Sequence, residues 1–197
     1  MGDFQWQSGV EVDLQRDERS EIEATFGTGK PAIGAEPFLD QSEDVTSKGV
    51  FLQGTLELSG GAVALAGLRY DNHDFTADDH VPVTAENPDD SGSRDMNAFS
   101  PSIGLSVPAG ESANVFGSIS TIFQTPTTSE LSNQPNAAGG FNPNLDPMSG
   151  ESFELGVRRS IGSVAAFEVT GYQTNLQNEL VPFEVAGSAG VTYFRHA

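Results

Sequence analysis

A ten-residue stretch gathers oxygen and imidazole donors: Asp71-Asn72-His73-Asp74, then Asp78-Asp79-His80. Carboxylates and imidazoles are the ligands that hold divalent cations. Asp71, His73, Asp74, Asp78, Asp79 and His80 therefore form a candidate metal site. The stretch lacks the glycine and distal glutamate of a calcium-hand loop, and the same residues also fit a solvated acidic loop.

Other chemistry is sparse. His73, His80 and His196 are the only histidines, and there is no cysteine, which excludes disulfides, thiolate metal sites and cysteine nucleophiles. No Gly-x-Ser-x-Gly elbow, His-Glu-x-x-His helix or phosphate-cradling loop occurs. The adjacent acids Asp78-Asp79 and Asp89-Asp90 lie in polar surroundings, without the apolar setting that tunes a carboxyl for acid–base work. The chain reads as a non-enzyme with no cofactor. With 28 acidic against 9 basic residues, it does not present a surface for nucleic-acid phosphates.

The elements that must position these residues show a double rhythm. Segments of about ten residues alternate apolar and polar side chains, as strands with one greasy and one wet face do. Phe4, Trp6, Val10, Val12 and Leu14 share one parity; Gln5, Gln7, Glu11 and Asp13 share the other. Eight such segments are expected: 3–15, 48–58, 62–70, 98–107, 114–124, 151–159, 164–175 and 191–197. Short connectors at Ser59–Gly61, Pro108–Ala113 and Ser160–Ser163 alternate with long ones at 16–47, 71–97, 125–150 and 176–190. Short turns at one end and long loops at the other are the pattern of a membrane β-barrel. The long stretches hold 20 of the 28 acids, so that rim is expected to be strongly negative. Trp6, Tyr70, Tyr172 and Tyr193 are candidates for interfacial girdles, and equally for ordinary strand packing.

From Ala66 onward the sequence resembles the barrel of TonB-dependent outer-membrane receptors. Ala66-Gly67-Leu68-Arg69-Tyr70-Asp71 looks like that family's strand ending GLRYD, and Phe99-Ser100-Pro101-Ser102-Ile103-Gly104-Leu105 like its FSPSIGL. The run from Val115 to Pro126 is similar to a strand closing on FRTP, and Ser129-Glu130-Leu131 follows it as expected. Asn142-Pro143-Asn144-Leu145-Asp146-Pro147 looks like the NPdLkPE loop, with Glu154-Leu155-Gly156-Val157-Arg158 as the next strand. Thr192-Tyr193-Phe194-Arg195-His196-Ala197 is similar to the yyRNa element. Upstream, Gly49 to Gly54 is similar to GvFaQ. Gln124 and Met148 depart from the family's usual Arg and Glu at what read as structural positions.

The resemblance implies an all-β chain: an antiparallel transmembrane β-barrel segment of about eight long strands, with short periplasmic turns and long extracellular loops. Residues 1–197 are expected to be one partial barrel domain, without plug or C-terminal strand, and to form an open curved sheet in isolation. The implied function is import of a scarce, bulky nutrient, first among them an iron–siderophore complex, across the outer membrane of a Gram-negative bacterium. The implied partners are the TonB complex (through a plug domain), outer-membrane lipid and the siderophore or other small ligand, with no nucleic acid. A passive porin-like or adhesin-like barrel and a soluble β-sandwich binding module are the alternatives.

Overall fold

The computed structural model describes residues 2–25, 32–85, 87–132, 134, 139–185 and 192–197. Seven long strands follow one another in space as they do in sequence: β1 (Phe4–Thr25), β2 (Ala32–Glu57), β3 (Val63–Asp79), β4 (Gly92–Pro108), β5 (Ala113–Gln124), β6 (Met148–Ile161) and β7 (Ala165–Gln177). Each pairs antiparallel with the next. Among the described residues β1 and β7 do not pair, so the sheet is open. A two-stranded ribbon, β8 (Leu180–Phe183) with β9 (Tyr193–His196), forms a second sheet that is not strand-paired with the first.

The three expected short turns are present. Gly60 and Gly61 take φ of 79° and 78°, a left-handed backbone that side chains with a Cβ disfavour, and Leu58 N–H closes the turn on the Ala62 carbonyl at 2.7 Å. Ala109 N–H reaches the Ala113 carbonyl at 2.8 Å, and Val164 N–H the Ile161 carbonyl at 3.2 Å.

Two expected long connectors are mostly strand. Pairing continues without a break from Gln15↔Val45 through Ser20↔Asp40, and again from Asp71↔Gly49 to Asp79↔Gln41. Of the sixteen acids in 16–47 and 71–97, thirteen lie on these strand extensions. On β1 both faces are polar over 16–21, and on β3 Phe75 and Ala77 share one face with Asp71, His73 and Asp79, so the alternation that marks a half-buried strand is weak while the backbone ladder persists. Glu86 lies outside the described residues.

The eighth segment also differs from expectation. Tyr193–His196 pairs with Leu180–Phe183, inside what read as a connector, and not with β7. Val191 lies outside the described residues. A short helix, α1 (Thr128–Ser132), follows β5. Its start is a capping box: Thr127 N–H donates to Glu130 Oε2 at 2.7 Å, and Glu130 N–H to Thr127 Oγ1 at 3.3 Å.

Candidate functional site

Register sorts the side chains into two walls. One face carries Phe4, Trp6, Val10 and Val12 on β1, then Leu56, Leu52 and Val50, then Ala66, Leu68 and Tyr70, then Ile103 and Phe99. Across β5–β7 it continues through Ile119, Phe153, Leu155 and Val169. These residues are exposed: Val10 79%, Ile103 59%, Leu155 67%. A continuous exposed apolar wall of this extent marks a surface that meets lipid or another apolar partner. On β4 it runs from Phe99 to Val107, about 26 Å along the strand at ~3.3 Å per residue, the scale of a barrel's lipid-facing band.

Aromatic residues stand at both limits of this band. Phe4 and Trp6 lie near the short-turn end, and Tyr70 sits opposite Phe99 at the other. Beyond that row the same face becomes polar, with Lys48 Nζ 3.0 Å from Asp74 Oδ2 and Asn72 Nδ2 2.6 Å from Asp95 Oδ2. Of the four girdle candidates, Trp6 and Tyr70 thus stand at the limits of the apolar band. Tyr172 pairs with Glu154 on the opposite wall, and Tyr193 belongs to the ribbon.

That opposite wall is polar. Gln53 donates to Gln7 Oε1 at 3.1 Å. Arg69 bridges Asp71 and Glu11, each at 2.9 Å, and Arg158 reaches Glu168 at 2.6 Å. Phe51 lies over Gly9 on the neighbouring strand, where a Cβ would strike the ring. Below the Tyr70–Phe99 row this wall has no buried apolar core among the described residues.

Above the row, the polar wall acquires a core. Phe75, Ala77 and Met96 project from it and are buried, at 4%, 2% and 3% exposure. The long-loop segments cover them: Leu131 of α1, Phe141 and Leu145 are buried in the same cluster, with Phe123, Leu180 and Phe194 packed against it. Arg94, paired in register with Phe75, fastens the cover. Its guanidinium donates to the Asn142 and Leu145 carbonyls, both at 3.0 Å, and to Asp146 Oδ1 at 3.2 Å. Asp146 N–H in turn donates to His196 Nε2 at 3.0 Å. The loops are therefore tied to the strand wall and to the ribbon.

The candidate metal ligands are separated by the strand they share. Alternation on β3 turns Asp71, His73 and Asp79 to the polar wall and Asp74 and Asp78 to the other. Asp71 is held by Arg69, His73 Nδ1 is 2.8 Å from Ser47 Oγ, and Asp74 is paired with Lys48. The Asp79 carboxylate accepts the Val81 and Asp90 N–H groups at 2.9 and 3.2 Å. His80 Nδ1 stands 3.8 Å from Asp40 Oδ1. Among the described residues no three such donors converge as a metal site.

In the 80–91 loop the Asp90 carboxyl is held above its ordinary value by burial and by the charges of Asp79 and Asp89. Asp89 is held below it by hydrogen bonds from the Ser91 side chain and backbone.

The pattern of residues 1–195 matches the family described as TonB dependent receptor-like, beta-barrel. The chain belongs to the TonB-dependent receptor β-barrel family. That family comprises outer-membrane transport receptors and not enzymes. Among solved structures the fold is similar to the siderophore receptor PiuA from Acinetobacter baumannii: 14% identity, TM-score 0.69, covering 97% of this chain and 30% of that one. It is also similar to the ferric-catecholate import receptor Fiu from Escherichia coli K12, at 12% identity and TM-score 0.64, covering 98% and 31%. A third likeness is to a double mutant of the Serratia marcescens hemophore receptor HasR, solved with its hemophore HasA and heme. There the identity is 15%, the TM-score 0.60 and the coverage 98% and 37%. The chain thus spans about a third of the length of these receptors.

Helix α1, strand β8 and the inward core are what reading the sequence missed. The Thr127-x-x-Glu130 pair was the available signal for the helix. The core gave none, because its members come from segments more than fifty residues apart, such as Phe75 and Leu131.

Proposed function

We propose that this chain forms part of the barrel wall of a receptor in the outer membrane of a Gram-negative bacterium. The receptor imports a scarce, bulky nutrient, first among them an iron–siderophore complex. The observation that carries the reading is the division of one sheet into an exposed apolar wall and a hydrogen-bonded polar wall, in a chain of this family. The apolar wall meets membrane lipid. The polar wall lines the lumen, where a plug domain would sit and pass on the work of the TonB complex. The packed loops at the long-connector end face the outside and meet the ligand first. The siderophore and hemophore receptors of similar fold support a ligand of that kind.

The test is uptake. The full-length receptor carrying this chain is expressed in a Gram-negative host lacking its own siderophore receptors, and growth on ferric siderophores as the iron source is measured. Growth that disappears when TonB is deleted is the expected outcome. Permeation that persists without TonB would instead establish a passive porin-like barrel.

A further inference from the structure

Two arginines follow each other at the short-turn end of β6 and meet opposite surroundings. Arg158 faces the polar wall, with Glu168 Oε2 at 2.6 Å and the centre of the Phe116 ring at 5.9 Å. Arg159 faces the apolar wall, because alternation along β6 groups it with Phe153, Leu155 and Val157. Its register partners there are Ala113 and Phe167. It is exposed, and among the described residues no carboxylate stands within ion-pair distance of it. In a chain with 28 acidic and 9 basic residues, an arginine without a carboxylate partner is a cation left for something outside the chain.

The apolar surface does not stop at Arg159. Ile161, Val164 and Phe167 lie beside and beyond it, all exposed. A long arginine stem tolerates such a surround while its charged head reaches a polar group at the boundary of an apolar layer. In the other direction along the wall, Gly117 stands in register between Leu105 and Leu155 and has no side chain. With Ile103, Ile119 and Phe153 in the next row, it leaves a depression of about 360 Å³. Gly117 is four residues from Ala113, the partner of Arg159, so the two rows are ~13 Å apart at ~3.3 Å per residue. An acyl chain crossing half of a ~30 Å hydrocarbon layer spans that distance.

We infer that Arg159 and this depression form a binding site for an anionic phospholipid, with the guanidinium on the phosphate and one acyl chain over Gly117. A guanidinium grips a phosphate through two parallel N–H···O bonds. A phospholipid joins an anion to a hydrocarbon chain at the separation the wall presents, whereas a free phosphate would leave the depression unfilled. A headgroup without an ammonium of its own leaves the phosphate charge to Arg159, which selects the anionic class. The site rests on the membrane reading proposed above and deepens it, because it names the lipid held at the short-turn end of the wall.

The experiment uses the full-length receptor, purified in a neutral detergent and stripped of native lipid. Dioleoyl phosphatidylglycerol and dioleoyl phosphatidylcholine share their chains and differ in headgroup charge. Each is titrated and its binding followed by native mass spectrometry, and phosphatidylglycerol is expected to bind more tightly. Arg159→Gln should weaken it by about tenfold or more, the range for loss of a charge-assisted hydrogen bond, and remove the preference. Arg159→Lys should recover part of the loss. Arg158→Gln, one residue away but on the other wall, should change nothing. Gly117→Val fills the depression and should weaken both lipids alike. Thermal unfolding of each variant separates a lost lipid from a damaged barrel; if Gly117→Val unfolds, the arginine variants decide. Equal binding of the two lipids, or phosphatidylglycerol affinity indifferent to Arg159, overturns the site. So does displacement of phosphatidylglycerol by equimolar inorganic phosphate, which would make it a site for the free anion. Arg159-dependent lipid binding without TonB-dependent uptake would keep the site and sink the import reading. TonB-dependent uptake without such binding would do the reverse.

Discussion

The two ends of the sheet are inside out relative to each other. Toward the short turns, apolar side chains point outward and stay exposed, as Val10 and Leu155 do. Toward the long loops, they point inward and are buried, as Phe75 and Met96 are. The change falls at the Tyr70–Phe99 row, within single unbroken strands. One backbone can carry both arrangements because side-chain parity is independent of the ladder that holds the strands. On the proposed membrane reading, what changes is the solvent: hydrocarbon outside would reward an outward apolar face, and water outside an inward one.

The sharpest way to break this division is to damage one end and watch the other. Leu131 is fully buried among Phe75, Met96 and Leu145. Leu131→Ala should cost about 2–5 kcal/mol, the usual range for such a cavity. Hydrogen exchange should accelerate at Phe75–Ala77 and at 141–145 while β4–β6 below the aromatic row stays protected. Equal loosening at both ends would show that they are one cooperative unit and not two.

A charge placed on alternate residues of one strand tests the lower end. Ile103 faces the apolar wall and its neighbour Ser102 the polar one. Ile103→Arg should cost about 2–4 kcal/mol in a lipid bilayer, the penalty for a cation at barrel mid-depth. Ser102→Arg should cost far less. Denaturant titration of the receptor in vesicles reads the difference, and equal penalties would remove the lipid-facing assignment.

The lower end was legible because half-buried strands carry a period of two. Val10 to Leu14, Phe99 to Leu105 and Phe153 to Val157 announce both element and face. The three short turns were marked by glycine. The upper end was not legible in the same way. Glu18, Asp44 and Asp78 sit on strand extensions dominated by polar residues, with only a few apolar side chains such as Phe75 and Ala77 among them, so composition alone resembled loop. The candidate metal site failed to assemble for a related reason: proximity in sequence on a strand places Asp71 and Asp74 on opposite walls. The inward core was silent because Phe75, Leu131 and Leu145 meet only through tertiary packing.

Arg94 joins the wall to its cover, and removing it should separate them. Arg94→Gln loses charge-assisted bonds to two carbonyls and Asp146, worth about 1.5–3 kcal/mol in all, since the amide replaces part of them. Limited proteolysis should then cut first within 139–146. An unchanged cleavage pattern would mean that the apolar core alone holds the loop.

The smallest effect concerns acid, and its sign distinguishes two neighbours. Asp90 has a raised folded-state pKa, so the folded loop binds a proton more readily than the unfolded chain. Its charge therefore weakens the loop at neutral pH. As pH falls through the raised value toward the ordinary 3.8, protonation removes that cost and the loop gains stability. Asp89 runs the other way: its contribution is present above 3.8 and is lost as pH falls through its depressed value. Amide exchange at 80–91, corrected for intrinsic pH dependence, should thus show protection rising on mild acidification and falling in stronger acid. Asp90→Asn should abolish the rise and leave the later fall, because Asp79 and Asp89 then face a neutral amide at every pH. A rise that survives this substitution would assign the gain to another group and leave the crowding of the three carboxylates without consequence.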